Sequence, residues 1–462
     1  MSNLLGLLDL GGSGLLSHQK AIQVTGHNIA NVNTPGYSRQ RVNLEAKPPM
    51  SNASGQAGIG VNVSEIQRMY DQFLGVQINT ENQDLGRWEA QKGALEITEF
   101  IFDELSGSGL NAAMSEFWNS WQDVANNPAA YTERAALLSK SRLLATTLNT
   151  MSSEIQQQQI QLDRSIESAV NEINRMAEKI FDLNKKISDF EISGQGANDY
   201  RDQRDELLKE LSSMIDISTF EDRRGQITVS VGNGQPLVDS SYPWKLSTQP
   251  NAFGHADVIW MDNDGNTVDI TQDISGGRIM GWLQTRDTDL VDYSTRLDTL
   301  AGEMIVQVNS LHSGGFDLNA TAGEVFFTGT SAADISLNSN IDSDVNLIAA
   351  AVVASGIPGD NRNAIAIANL QHALVMNGGS ATFDNFYNSI VSDVGQGLKT
   401  AGDYFGHQST ITASLENYRQ SHSGVSLDEE MLNLVKFQHA YDAAAKLIST
   451  VDELLTTVVN MV

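Results

Sequence analysis

The sequence predicts a mainly α-helical chain with one small β domain inserted, drawn out into an elongated multi-domain rod. Its N- and C-terminal helices pair as a coiled coil, a bundle of long helices forms the body, and the β module sits at the outer end. Three observations predict this. Residues 427–462 carry a heptad of apolar positions, residues 130–192 carry a second long seam, and between 216 and 280 the apolar period drops to two.

At the N-terminus, Leu15, Ile22 and Ile29 are spaced seven apart, and only Asp9 and Lys20 carry formal charge before Arg39. A lone surface helix normally has a charged back face. A helix without one packs on several sides, against its own chain or against other copies.

The stretch "NIANVNTPGYSRQRV" then stops the helix. Thr34-Pro35-Gly36-Tyr37 suits a type II turn, with Pro at the second position and Gly at the third. Asn28, Asn31 and Asn33 can bond backbone groups freed at the helix end. Tyr37 and Arg39 are expected to contact a neighbouring subunit.

Extended chain and loop follow, then a helical pattern from about Arg68 to Glu104 and a Gly/Ser break at "SGSG". Met114, Phe117, Trp118, Trp121 and Val124 mark the buried side of the next helix. Asn127 is placed to cap, and Pro128 to open, a helix that runs to about residue 192. Its seam is regular from Leu162 to Phe190, with glutamines interrupting at 156–159. At ~1.5 Å per residue such a helix reaches about 90 Å.

"ITVSVGNGQPLV", "WKLS" and "VIWMDNDGNTVDI" read as short strands. "DNDGN" lacks the spacing of a calcium loop, so Asp264-Gly265 reads as a hairpin turn. Helix returns with Leu297, Leu300, Met304, Val308 and Leu311, and again near 362–377 and 383–422. The last helix opens at Ser426, with Glu429 at capping-box spacing and Asp428 and Glu430 at the positive end of the helix dipole. Its expected contact positions are Leu427, Met431, Leu434, Tyr441, Ile448, Leu455, Val459 and Val462. The domains expected are 1–40 with 425–462 (the terminal pair), 41–215 with 281–424 (the helical body) and 216–280 (the β insert).

The formal net charge is -28, and there is no cysteine. A polyanion repels nucleic-acid phosphates and anionic lipid headgroups, so neither is an expected partner. Disulfides, Cys-ligated zinc and thiol catalysis are excluded. No apolar run approaches the ~18 residues of a membrane span, and the N-terminus lacks the basic region of a cleavable signal peptide. No metalloprotease, serine-hydrolase or P-loop motif occurs, and no two of the eight histidines stand at i, i+4. No catalytic residue, metal or cofactor is therefore expected.

"GHNIANVNTPGYSRQRV" resembles the N-terminal signature of the rod, hook and hook-associated proteins of the bacterial flagellum. "SGVSLDEEMLNLVKFQHAYDAAAKLISTVDELLTTVVNMV" is similar to their C-terminal region. The form Tyr37-Ser38-Arg39-Gln40 is closest to the branch at the hook–filament junction, and "NNPAAYTERAALL", "GGRIMGWLQTRD" and "GGFDLNATAGEVFF" are similar to it too. The resemblance implies a structural subunit, not an enzyme, located outside the cell in the flagellum and exported by the flagellar type III apparatus without a cleavable signal peptide. It implies self-assembly into a tubular ring through the terminal helices. The implied partners are further copies, the hook protein, the second junction protein and an export chaperone on the C-terminal helix. Family members often carry an extra β domain after the segment matching "GEVFF"; here a short segment occupies that place, which implies three layers. The competing readings are a rod protein, the second junction protein, a surface adhesin using its β module, or an enzyme acting on peptidoglycan or protein.

Overall fold

The computed structural model describes residues 2–52, 55–102, 109–193 and 195–460; most of the "SGSG" break and Val462 lie outside them. The chain opens with α1 (Ser2–Ala30). A nested hairpin follows, β1 (Gln40–Ala46) with β4 (Val61–Arg68) and, at its tip, β2 (Met50–Asn52) with β3 (Gly55–Ala57). Four helices come next: α2 (Gln72–Ile101), α3 (Leu110–Asn126), α4 (Tyr131–Ile192) and α5 (Asn198–Met214). Two antiparallel three-stranded sheets follow. They comprise β5 (Ile217–Glu221), β6 (Ile227–Val231) and β7 (Gln235–Val238), then β8 (Lys245–Pro250), β9 (Ala256–Met261) and β10 (Thr267–Asp269). Helix α6 (Gly277–Gln284) runs through a π turn into α7 (Leu290–Ser313). A lobe of short elements holds β11 (Phe327–Thr328), β12 (Ser336–Leu337), α8 (Ser339–Ser343) and α9 (Arg362–Ala368). Two long helices, α10 (Phe383–Ser423) and α11 (Leu427–Asn460), finish the described chain.

Helix α4 organises the body. Its 62 residues span about 93 Å, and its apolar stripe serves two separate cores. The first half, from Leu137 to Leu162, packs with Phe117, Trp118 and Trp121 of α3, with α7, and with the lobe around Phe326 and Phe383. The second half, from Ile166 to Ile180, covers Leu208 and Leu211 of α5 and the inward strand residues Val229, Val231 and Val258. The interrupting glutamines lie near the division between the cores. Gln158 is buried and donates to the Ala94 carbonyl at 2.6 Å and to Thr98 Oγ1 at 3.0 Å, tying α4 to α2. A buried amide is retained only when its bonds are made, and here they are.

The expected mainly helical, elongated class with a small inserted β module is what the chain adopts. One placement within it differs. The β module lies alongside the half of α4 nearer the terminal helices, with Asn184 bonded to Ile227 and Asn174 to Leu246. The outer end is taken by the 313–376 lobe, held by Arg134, which donates to the carbonyls of Pro128, Val345 and Ile348. The cause is burial: two small sheets cannot cover their own apolar faces, and the α4 stripe does it for them.

Three boundaries also move. Helix α4 starts at Tyr131 after Ala130, because Asn127 instead terminates α3 and donates to Glu133 at 3.4 Å. Helix α2 starts at Gln72, capped by the Asp71 carboxylate. The pattern near 362–377 yields only α9 and one further 3-10 turn. At "DNDGN" the turn reading holds: Asp262 accepts from the amides of Asp264 and Asn266, and Gly265 takes φ 85°.

Candidate assembly site: the terminal pair and its shoulder

Helices α1 and α11 lie against each other. The buried positions of α1 are small: Gly11, Ser13, Ser17, Ala21, Val24, Thr25 and Asn28. A Cβ on Gly11 would stand 2.8 Å from Ile448 Cγ1, and one on Gly14 would stand 3.6 Å from Ala444 Cβ. The helices are therefore close because the side chains between them are small. The expected apolar positions Leu15, Ile22 and Ile29 end up half-buried at the flanks, while Leu16 is 66% exposed.

Helix α11 follows half of the expected seam. Leu434, Tyr441, Ile448 and Leu455 are half-buried, as a contact series should be. The complementary series is Glu430, Phe437, Ala444 and Val451, with Glu430 and Val451 fully buried. Leu427, Met431 and Val459 instead face outward, Met431 with 59% exposure. Apolar spacing alone could not separate the two series, because one of the two buried positions of α11 is a glutamate.

The turn forms as expected. Tyr37 N–H donates to the Thr34 carbonyl at 3.2 Å, and Gly36 takes φ 74°. A Cβ at Gly36 would also stand 2.9 Å from a Glu206 carboxylate oxygen, so a side chain is disfavoured twice. Asn31 bonds the His27 carbonyl at 3.0 Å, the freed helix-end group anticipated for it. Asn33 and Pro35 are exposed at the corner.

Asn28 does something different. It is 1% exposed and fully bonded. Its amide donates to the Gln40 carbonyl at 2.8 Å and to Glu430 at 3.0 Å. Its oxygen accepts from Tyr37 at 2.8 Å and from the Gln40 amide at 3.0 Å. One side chain thus joins the end of α1, the turn, the start of β1 and the start of α11. Arg39 closes the same knot, donating to Glu430 at 2.8 Å and to Glu429 at 2.8 Å, while its own amide donates to the Ser423 carbonyl. Tyr37 and Arg39, expected to reach a neighbouring subunit, are used within the chain. Glu429, expected to cap α11, holds Arg39 instead.

A second layer fixes the knot to the body. Ser38 N–H donates to Asp202 at 2.9 Å, Arg68 bridges Asp202 and Asp205 at 2.9 and 2.7 Å, and Gln40 donates to Asp199 at 2.7 Å. Burial pushes the Asp202 carboxyl up to about 6, against the opposing pull of Arg68. Burial, then Asp199, Asp202 and Glu430, push the Tyr37 phenol up, so it stays protonated as a donor. His27 Nδ1, 3.1 Å from that hydroxyl, completes it. Beside the turn lies a cavity of about 580 Å³, bounded by Pro35, Tyr37, Lys186 and Glu206. The sequence reading missed Gln40, Arg68, Asp202 and the burial of Glu430, since charged residues at a helix start read as dipole partners.

This is a joint and a pair of striped helices. Among the described residues no group of His, Asp and Glu is arranged to hold a metal ion, and no helix is long and apolar enough to cross a membrane.

Comparison with known proteins agrees with this geometry. Residues 95–327 match the model of the flagellar hook-associated protein FlgK helical domain. Residues 8–37 match that of the flagella basal body rod protein, and residues 418–461 that of the flagellar basal body rod FlgEFG protein C-terminal region. Flagellar hook-associated protein 1 of Bacillus subtilis is 30% identical across 98% of this chain and 97% of its own length. That of Escherichia coli is 27% identical, covering 97% of this chain and 98% of its own, in an alignment of 539 positions against 462 residues here, so the relative carries additional sequence. The structure of the flagellar hook junction protein FlgK from Burkholderia pseudomallei superposes with TM-score 0.68 at 15% identity, over 76% of this chain and all of that one, which establishes the shared fold. The chain belongs to the flagellar hook-associated protein 1 family.

Proposed function

We propose that this protein is a structural subunit of the hook–filament junction, assembling through α1 and α11 into a short tubular ring between the hook and a second junction protein. The observation that carries the reading is the inversion of the terminal pair. Small residues face the partner helix, while Leu5, Leu7, Leu16, Met431, Leu432 and Val435 face out, each at least 40% exposed. A monomer gains nothing from exposing such leucines; a ring of copies buries them. The shoulder centred on Asn28 sets the angle at which the pair leaves the body, and so the radius at which copies meet.

The protein acts outside the cell, exported by the flagellar type III route without a cleavable signal peptide, with an export chaperone covering the outward face of α11 beforehand. It has no catalytic role. The test is a deletion strain. The expected phenotype is hooks present, filaments absent and flagellin shed into the medium; attached filaments of normal length in that strain would refute the reading.

A further inference from the structure

Phe253 is 87% exposed, the most exposed large apolar side chain among the described residues, at the tip of the β8–β9 hairpin. The tip holds it firmly. Asn251 accepts from the amides of Phe253 at 2.9 Å and His255 at 3.1 Å, donates from its own amide to the His255 carbonyl, and donates from its side chain to Asp257 at 3.0 Å. The backbone that presents this exposed aromatic is thus fixed by hydrogen bonds, and aromatic side chains are frequent anchors of protein contacts.

A groove of about 370 Å³ lies on another side of the body, between α2, α4 and α6. Its apolar lining includes Ala90, Gly93, Ile97, Leu162 and Trp282. Ile97 is 49% exposed at its rim, and a Cβ on Gly93 would meet nothing within 4 Å, so the floor is open.

Anchor and groove sit at one height along α4. The hairpin is tied to Asp163 through His255 and the Ala256 amide, and the groove is bounded by Gln161 and Ser165. Two residues along a helix turn about 200°, so these groups point to nearly opposite sides of α4. A protrusion and a recess on different faces are what a heterologous contact between copies needs. Charge permits it as well. In a chain of net charge -28, residues 247–256 contain no Asp, Glu, Lys or Arg. The groove's charged rim, Arg278 with Glu89 at 2.9 Å, is self-neutralised.

We propose that Phe253 of each copy seats in the Gly93–Ile97 groove of the next, forming a lateral contact between bodies outside the tube of terminal helices. This rests on the ring-assembly reading above. The test uses the parent bacterium with its own copy replaced by an equal mixture of full chains carrying Ala252→Cys and Ile97→Cys, both exposed positions in a chain without native cysteine. Isolated flagella are treated with a short bis-maleimide, and cross-linked peptides are identified by mass spectrometry. A 252–97 cross-link in the mixed strain, absent from either strain alone and reduced about tenfold by adding Phe253→Asp, is the expected result. Gly93→Leu, at a position where a Cβ meets nothing within 4 Å, should reduce it likewise, with the melting temperature of each purified variant unchanged. Flagella that contain the chain but give no such peptide, or one indifferent to Phe253→Asp and Gly93→Leu, overturn the contact and leave ring assembly standing. Absence of the unsubstituted chain from flagella overturns ring assembly itself, and the contact with it.

Discussion

At the scale of single residues, buried polar groups decide how the parts are joined. Asn28 makes four bonds to three elements, so Asn28→Leu, with the same number of heavy atoms, removes all of them and leaves the Gln40 amide and carbonyl without that partner, while Arg39 still holds Glu430. The expected cost is about 3 kcal/mol of local stability, read as faster hydrogen exchange at the Gln40 amide with the exchange of α3 unaffected. Two titrating groups give the molecule opposite pH responses at its two ends. Asp202 has its folded pKa raised to about 6, above the ordinary 3.8, by burial. Its contribution is fully present below 3.8 and is lost as pH rises through 6, so the shoulder should tighten by up to about 3 kcal/mol on acidification. His312, fully buried, has its pKa lowered from 6.5 to about 4, chiefly by burial. Its ring accepts from the Ala349 amide at 3.0 Å and donates to the Glu324 carbonyl at 2.6 Å, so a second ring proton would face a donor. That contribution is present above 6.5 and lost as pH falls through 4. Protection factors, which correct for the intrinsic pH dependence of exchange, should therefore rise around Ser38 and fall around Ala349 between pH 7 and about pH 4.5; matching directions at both sites would contradict the assignment.

At the scale of elements, the terminal pair separates two jobs on one helix surface. Small residues let α1 and α11 approach, and exposed leucines remain on the outer face, the surface of the proposed assembly. Leu16 and Leu432 are 66% and 72% exposed. Replacing both by Ser should leave the monomer's stability within about 0.5 kcal/mol, because exposed positions rarely matter to folding. The same double variant should fail to appear in isolated flagella. Incorporation at the normal level would show that these faces are not the assembly surface.

At the scale of the whole molecule, the chain carries a net charge of -28, and the proposed ring would set it against copies of itself. In that proposed assembly, body-to-body repulsion opposes association and the apolar faces drive it. Screening shortens the range of the first and strengthens the second relative to it. Self-association of the purified chain, followed by sedimentation, should increase as ionic strength is raised toward about 1 M. A decrease would mean that ion pairs, not apolar stripes, hold the copies together. The two cores along α4 allow this division of labour, since the outer lobe and the β-covered inner half are stabilised separately.

The order of helices, the β insert, the turn at Thr34–Tyr37 and the aromatic core of α3 were all legible in the sequence, because each is written in local periodicity or in residue types with a narrow conformational range. Half of the α11 seam was legible for the same reason. What the sequence could not determine is which partner each polar residue takes. Glu430 and Asn28 are 402 positions apart and meet only because α1 and α11 pack. Asp202 and Arg68 meet only because α5 returns beside β4. The placement of the β module beside the inner half of α4, and the inversion that hides glycines and exposes leucines, are likewise tertiary. Local pattern specifies the face of an element, and only long-range packing selects what that face will meet.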